Sequence, residues 1–220
     1  MIWYQEIYLD TTINPVLVVP NTKEVTWMRS SLTPHDAESF FHVVNHSIDG
    51  RNLFYDEGDY RTYLTMFKAA IGADLTVIAY CLMPNHFHFL LRQNVANAMS
   101  TLFEVSHKRY ARYFNKKHGF KGTIFRSRLN HKEVTNEKYL LQACAYIHAN
   151  PVQANLVNFP EEWAFSNFRE YMQLRDGSLW SEQFLKDYIG NQENYRDRVI
   201  EIARNKTLQR AFEKDLLPMK

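Results

Sequence analysis

Between Glu104 and Glu133 the chain contains no acidic residue at all, although the whole sequence of 220 residues is nearly balanced at a net charge of +2. It is also poor in cysteine, with Cys81 and Cys144 only, both in apolar surroundings. Two such thiols exclude a disulfide scaffold and suggest reduced core cysteines in a cytoplasmic protein. No apolar run approaches the ~18 residues needed to span a bilayer. Lys and Arg are missing from Met1–Asp10, which carries acid instead, so these residues do not read as a secretory signal. Glycine and proline number seven each, and 45% of the residues are hydrophobic, which excludes collagenous, low-complexity and disordered chains. The expectation is a soluble, aromatic-rich, cytoplasmic protein without a membrane partner.

The missing acids mark where the positive charge gathers. Residues 1–60 hold nine acids against three Lys or Arg, and residues 161–220 hold eleven against ten. The middle hundred is left with four acids and thirteen bases, a net of +9. From His107 to Lys132, nine Lys or Arg and three His are interleaved with Tyr110, Tyr113, Phe114, Phe120 and Phe125. A charge run can be only a solvated face, but bases mixed with aromatics also suit a strand that offers phosphates and exposed base faces. The partner suspected is a polyanion, and the candidate contacts to it are Arg109, Arg112, Lys116, Lys117, Lys121, Arg126, Arg128 and Lys132. Of these, Arg126, Arg128 and Lys132 alternate and would share one face of a strand.

Periodicity predicts an ordered series of elements. Ser39–His46 reads as a strand, and Asp56-Glu57-Gly58-Asp59 starts a helix that runs to about Ile71. Strands follow at Leu75–Met83 and His86–Arg92, turned by Pro84-Asn85. A long helix spans about Ala96–Lys117 and is broken by Gly119–Gly122. Thr123–Val134 reads as a fourth strand. Thr135 is expected to cap a helix from Asn136 to about Asn150, stopped by Pro151. The fold class is therefore α+β, a ferredoxin-like split βαβ with an antiparallel sheet and helices on one face, the other face being free for a ligand. Ser181–Leu217 reads as two or three short helices, a helical C-terminal extension. The expected organisation is an N-terminal extension at 1–38, a central domain at 39–172 and an extension at 173–220.

Strand alternation puts His86, His88 and Leu90 on one face, with Phe87, Phe89 and Leu91 on the other. Two imidazoles ~6–7 Å apart on one face can reach one cation, although an isolated His-x-His is more often a pair of hydrogen-bonded histidines on a half-exposed sheet. In Tyr139–Asn150 the residues Gln142, Tyr146 and Asn150 fall on one helical stripe. Tyr146 reads either as a core-edge residue or as a nucleophile, and Asn150 either as a C-terminal cap or as a third metal ligand through its amide oxygen. A phenol attacking phosphorus needs help near neutral pH, which a divalent ion supplies by drawing charge from the phosphate oxygens. Imidazole and oxygen donors suit Mn²⁺ or Mg²⁺, with zinc or nickel as alternative binders.

Five segments, namely FFHVVNHSIDGRNLFYDEGDYRTYL (40–64), YCLMPNHFHFLLR (80–92), SHKRYARYFNKKHGFKGTIFRSR (106–128), YLLQACAYIHANPVQANLV (139–157) and WAFSNFREY (163–171), resemble the REP-associated tyrosine transposases. These are relatives of the single-tyrosine HUH transposases of bacterial insertion sequences. The resemblance covers about residues 39–172. It implies that His86 and His88 are the family's metal-binding pair, Tyr146 its nucleophile and Asn150 its metal-binding amide. It further implies a single-stranded DNA endonuclease and strand transferase acting on hairpin-forming repeats through a 5′-phosphotyrosine link. Ala154-Asn155 departs from a residue-Gly pair common in relatives. The partner would be single-stranded or hairpin DNA, and a monomer is favoured over a homodimer. Two other readings stay open at this point: a non-catalytic nucleic-acid-binding domain with a decayed site, and a metal-dependent phosphodiesterase that uses water.

Overall fold

A computed structural model describes residues 37–126 and 129–216. Residues 1–36 and Arg128 lie outside the described residues, and with them most of the expected N-terminal extension. Four strands form: β1 (Phe40–His46), β2 (Leu75–Met83), an almost wholly apolar and buried run, β3 (His86–Gln93), in which apolar and polar residues alternate at the start, and the polar β4 (Asn130–Val134). They form one antiparallel sheet in the order β2-β3-β1-β4. With the helices between them this is the split βαβ arrangement, an α+β fold with an antiparallel sheet.

Helices α1 (Glu57–Ile71) and α2 (Ala98–His118) cover one face. Asp56 caps α1 by accepting from the Asp59 backbone N–H, and Gly119 ends α2 in a left-handed conformation (φ 71°). Tyr63 and Phe67 of α1 and Met99, Phe103 and Tyr110 of α2 pack on Phe41, Val43, Phe87, Phe89 and Leu91 of the sheet. The even-numbered residues His42, His86, His88 and Leu90 therefore point to the other face.

That other face is not open, contrary to expectation. Helix α3 (Glu137–Gln153) lies across it, and it is followed by α4 (Phe168–Tyr171), α5 (Glu182–Phe184), α6 (Gln192–Arg204) and α7 (Lys206–Leu216). Leu140, Cys144, Ile147, Tyr195, Val199 and Ile202 join Ile78, Cys81 and Leu90 in a second core. The apolar stripe of α3 needs a partner on both sides, and the sheet supplies one while α6 supplies the other.

Three further boundaries differ from the sequence reading. The fourth strand begins at Asn130 instead of Thr123, so the alternation that would align Arg126 with Lys132 is interrupted. The preceding segment instead bonds past the end of β1, through Ile48 N–H to the Ile124 carbonyl and Arg126 N–H to the His46 carbonyl. The cap of α3 is Asn136 rather than Thr135, its side chain accepting from the Tyr139 N–H. Pro151 sits inside α3 instead of stopping it. In the last turn its missing N–H removes a single helical bond, and its fixed φ is already helical.

A buried network ties α3 to β2, α4 and α6. Ile78 is an extra residue in the β2–β3 pairing, so its carbonyl is turned out of the ladder and accepts from Asn167 Nδ2 (2.9 Å) and the Tyr171 hydroxyl (2.8 Å). Asn167 Oδ1 accepts from Tyr80 N–H (2.7 Å) and His148 Nε2 (2.9 Å). His148 Nδ1 lies 2.8 Å from the Tyr195 hydroxyl of α6. Burial lowers the His148 pKa to about 4, with the Asn167 contact opposing that shift. The unfolded imidazole takes up a proton near its ordinary 6.5, whereas the folded one does so only near 4. Stability from this group is complete above about pH 6.5 and is lost as pH falls toward 4. The expected loss is ~2 kcal/mol between about pH 7 and 5 from this one group, read as a fall in the urea midpoint. An unchanged midpoint over that interval would refute the assignment.

Candidate active site

Tyr146 belongs to the middle of α3 and faces the sheet. Its ring meets His88 edge-on at 5.9 Å and His42 edge-on at 6.5 Å. On its other side Phe212 of α7 lies 4.6 Å away, and the same ring stacks on Tyr139 at 5.3 Å. Tyr146 is consequently only 5% exposed. Asn150 follows one turn later on the same stripe and is buried. Its Nδ2 donates to the Tyr146 carbonyl (2.8 Å), which leaves the amide oxygen as the end with donor capacity for a cation.

Four histidines share the face beneath α3. His46 stacks on its cross-strand partner His86 at 5.0 Å, His86 meets His88 edge-on at 5.1 Å, and His42 stacks on His88 at 5.3 Å. Burial lowers all four pKa values: His42 to about 3, with Lys132 adding to the effect, and His86 to about 4, with His46 adding to it. His88 falls well below 6.5 through burial and then its three neighbours, and His46 falls through burial and then Arg126. Near neutral pH the rings are therefore uncharged bases.

The donor set fits a divalent cation on one observation. His86 Nδ1 lies 2.7 Å from Asn85 Oδ1, and His88 Nδ1 lies 3.1 Å from His42 Nε2. Both rings thus have an outer partner at Nδ1, which leaves Nε2 as the nitrogen for a metal. No group of three or more His, Cys, Asp or Glu is arranged to hold a metal among the described residues. A third protein donor would have to be of another kind, and the Asn150 amide is one.

The basic residues do not gather at one place. Arg109, Arg112 and Lys116 are exposed on α2, on the opposite side of the sheet from the histidines. Lys117 is held by Asp56 and Asp59, with both contacts at 2.8 Å, and this ion-pair network competes with any phosphate. Lys121 is exposed in the turn after α2. Arg126 is exposed beside His46, to whose carbonyl its backbone N–H donates. Lys132 is paired across from His42 and lies over the Tyr139 ring at 4.7 Å.

His42, His46 and Phe212 are the site residues that sequence reasoning missed. His42 and His46 are two alternations apart in FFHVVNH, so their common face was readable; that it is the face of His86 and His88 follows only from the β1–β3 register.

Residues 37–150, just over half of the chain, match a family model described as "Transposase IS200 like". Among solved structures, the chain is similar to a REP-associated tyrosine transposase bound to a REP hairpin. The TM-score is 0.55 and the identity 16%, covering 71% of this chain and 96% of that one. At that identity the likeness is one of fold. No curated protein matches. No helix is long and apolar enough to cross a membrane among the described residues.

Proposed function

Because this chain belongs to the family of IS200-like transposases, we propose that it nicks and rejoins single-stranded DNA beside hairpin-forming repeats, with Tyr146 as the nucleophile. The observation that carries this reading is the placement of Tyr146 edge-on to His88, a ring whose Nδ1 is engaged and whose Nε2 is left for a metal, with the Asn150 amide on the next helical turn. The REP hairpin held by the structural neighbour supports hairpin DNA as the substrate class.

His86, His88 and the Asn150 amide oxygen would hold Mn²⁺ or Mg²⁺. When bound, such an ion stabilises the charge that builds on the phosphate oxygens during transfer. The chain itself supplies the attacking group. The Tyr146 oxygen forms a bond to phosphorus while the bond from phosphorus to the departing 3′ oxygen breaks. The phenol gives up its proton, and the 3′ oxygen takes one up. The DNA is left joined to Tyr146 through its 5′ phosphate, and attack by a 3′-hydroxyl on that phosphorus releases Tyr146 and rejoins a strand. Because the link retains a phosphodiester, rejoining needs no external energy source.

The test is a denaturing gel of the protein, Mn²⁺ and an end-labelled hairpin with single-stranded flanks. A labelled band that survives detergent and maps by peptide sequencing to Tyr146 is expected. Cleavage without an adduct would make water the nucleophile and overturn the reading.

Arg126 is an exposed base beside His46, whose pKa it helps to lower. Arg126→Ala is expected to weaken hairpin binding and to make the slope of log affinity against log salt shallower by roughly 0.7–0.9, one phosphate contact. An identical slope would remove Arg126 from the DNA interface.

A further inference from the structure

His88 is held by a neighbour that the reaction scheme does not use. His42 pairs with Leu90 across the β1–β3 ladder, two residues from His88, so the two rings are diagonal neighbours on one face. His42 Nε2 lies 3.1 Å from His88 Nδ1, and the rings are stacked within 21° of parallel. Both side chains are buried, at 1% and 6% exposure. The other nitrogen of His42, Nδ1, is buried with no hydrogen-bond partner among the described residues. A buried imidazole with one unpartnered nitrogen and the other directed at a candidate metal ligand calls for an explanation.

A neutral imidazole has one N–H and one lone pair. A hydrogen bond between His42 Nε2 and His88 Nδ1 therefore holds a single proton, and there are two ways to place it. If His42 donates, the His88 proton must sit on Nε2, where it occupies the lone pair that a cation needs. If His88 donates from Nδ1, its Nε2 lone pair is free and the proton of His42 sits on the unpartnered Nδ1. At His86 the choice is already made, because the Asn85 amide oxygen can only accept and so requires Nδ1–H.

We propose that His42 is a positioning residue: it accepts the Nδ1–H of His88 and thereby holds His88 in the tautomer and ring orientation that present Nε2 to a divalent cation. This rests on the reading of His86 and His88 as metal ligands. It extends that reading to an outer shell in which two different acceptors, an amide oxygen and an imidazole nitrogen, impose one polarity on the pair.

The experiment uses the full chain and Mn²⁺ alone, with affinity read from the electron paramagnetic resonance signal of the free ion. Four proteins are compared: wild type, His42→Phe, His42→Gln and His86→Ala. His42→Phe keeps a ring but removes the acceptor, and Mn²⁺ binding is expected to weaken by roughly 10–100-fold. His42→Gln places an amide oxygen near the position of Nε2 and is expected to stay within a few-fold of wild type. A purely structural role would lower the melting temperature of both variants without separating their Mn²⁺ affinities. Unchanged Mn²⁺ affinity in His42→Phe, with loss in His86→Ala, would overturn the proposal and leave the metal site standing. Unchanged affinity in His86→Ala would remove the metal site itself, and the proposal with it. Should His42→Phe fail to fold, ¹⁵N–¹H correlation of the His88 ring in the metal-free wild type still decides. A proton on Nδ1 is expected, and a proton on Nε2 overturns the assignment.

Discussion

Replacing Tyr146 by Phe is expected to abolish the covalent DNA adduct and to reduce cleavage by roughly 10³-fold or more, while hairpin affinity changes by less than about threefold. The substitution removes one oxygen from a ring that is 5% exposed and packed against His42, His88 and Phe212, so the ring contacts survive. Loss of chemistry with retained binding separates a nucleophile from a core-edge tyrosine, whose removal would change stability and leave turnover intact. Adduct formation at wild-type rate in this variant would assign the attack to another group. The measurements are single-turnover adduct formation on a denaturing gel and equilibrium binding at fixed salt.

Asn167→Leu is expected to cost about 3–5 kcal/mol of stability, which is a large share of the 5–15 kcal/mol typical of a domain. Leucine nearly matches the volume but has no polar atom. It would leave Tyr80 N–H and His148 Nε2 without the acceptor they share, and the Ile78 and Leu179 carbonyls without one donor each. Asn167 is fully buried, so water cannot replace these partners. The melting temperature should fall by roughly 10 °C for a chain of this size. A fall under about 1 kcal/mol, measured by urea unfolding, would mean that the network is dispensable.

Much of the arrangement was legible in the sequence because it rests on local patterns. The alternation in His86-Phe87-His88-Phe89 separates the two faces of β3 without any tertiary information. The element order is enough to give the split βαβ fold. What covers the histidine face was not legible. The apolar stripe of α3 states that it must be buried, but not that one side takes β2 and the other α6. Phe212 carried no signal, since an aromatic on a short amphipathic helix reads the same whatever it rests on. Arg126 and Lys132 looked like one alternating set because nothing local announced that the chain pairs with the end of β1 before β4 begins. The hydrogen bond between His42 and His88 joins strands through residues 46 positions apart, a relation that only the register creates.

The junction between α3 and α6 bears on how this protein could be recombined with its relatives. The family match ends at residue 150, inside α3 and before that helix finishes at Gln153. The partners that hold the far side of that helix, Asn167, Tyr171 and Tyr195, all lie beyond the match. Grafting residues 37–150 onto another member's tail would pair the Tyr146 helix with side chains selected for a different helix. The unit of exchange is therefore larger than the region that defines the family, and it extends at least to the end of α6 at Arg204. Chimaeras that cross over between residues 150 and 204 should lose cooperative unfolding, whereas those that cross over after Arg204 and so keep α3 with α6 should retain it.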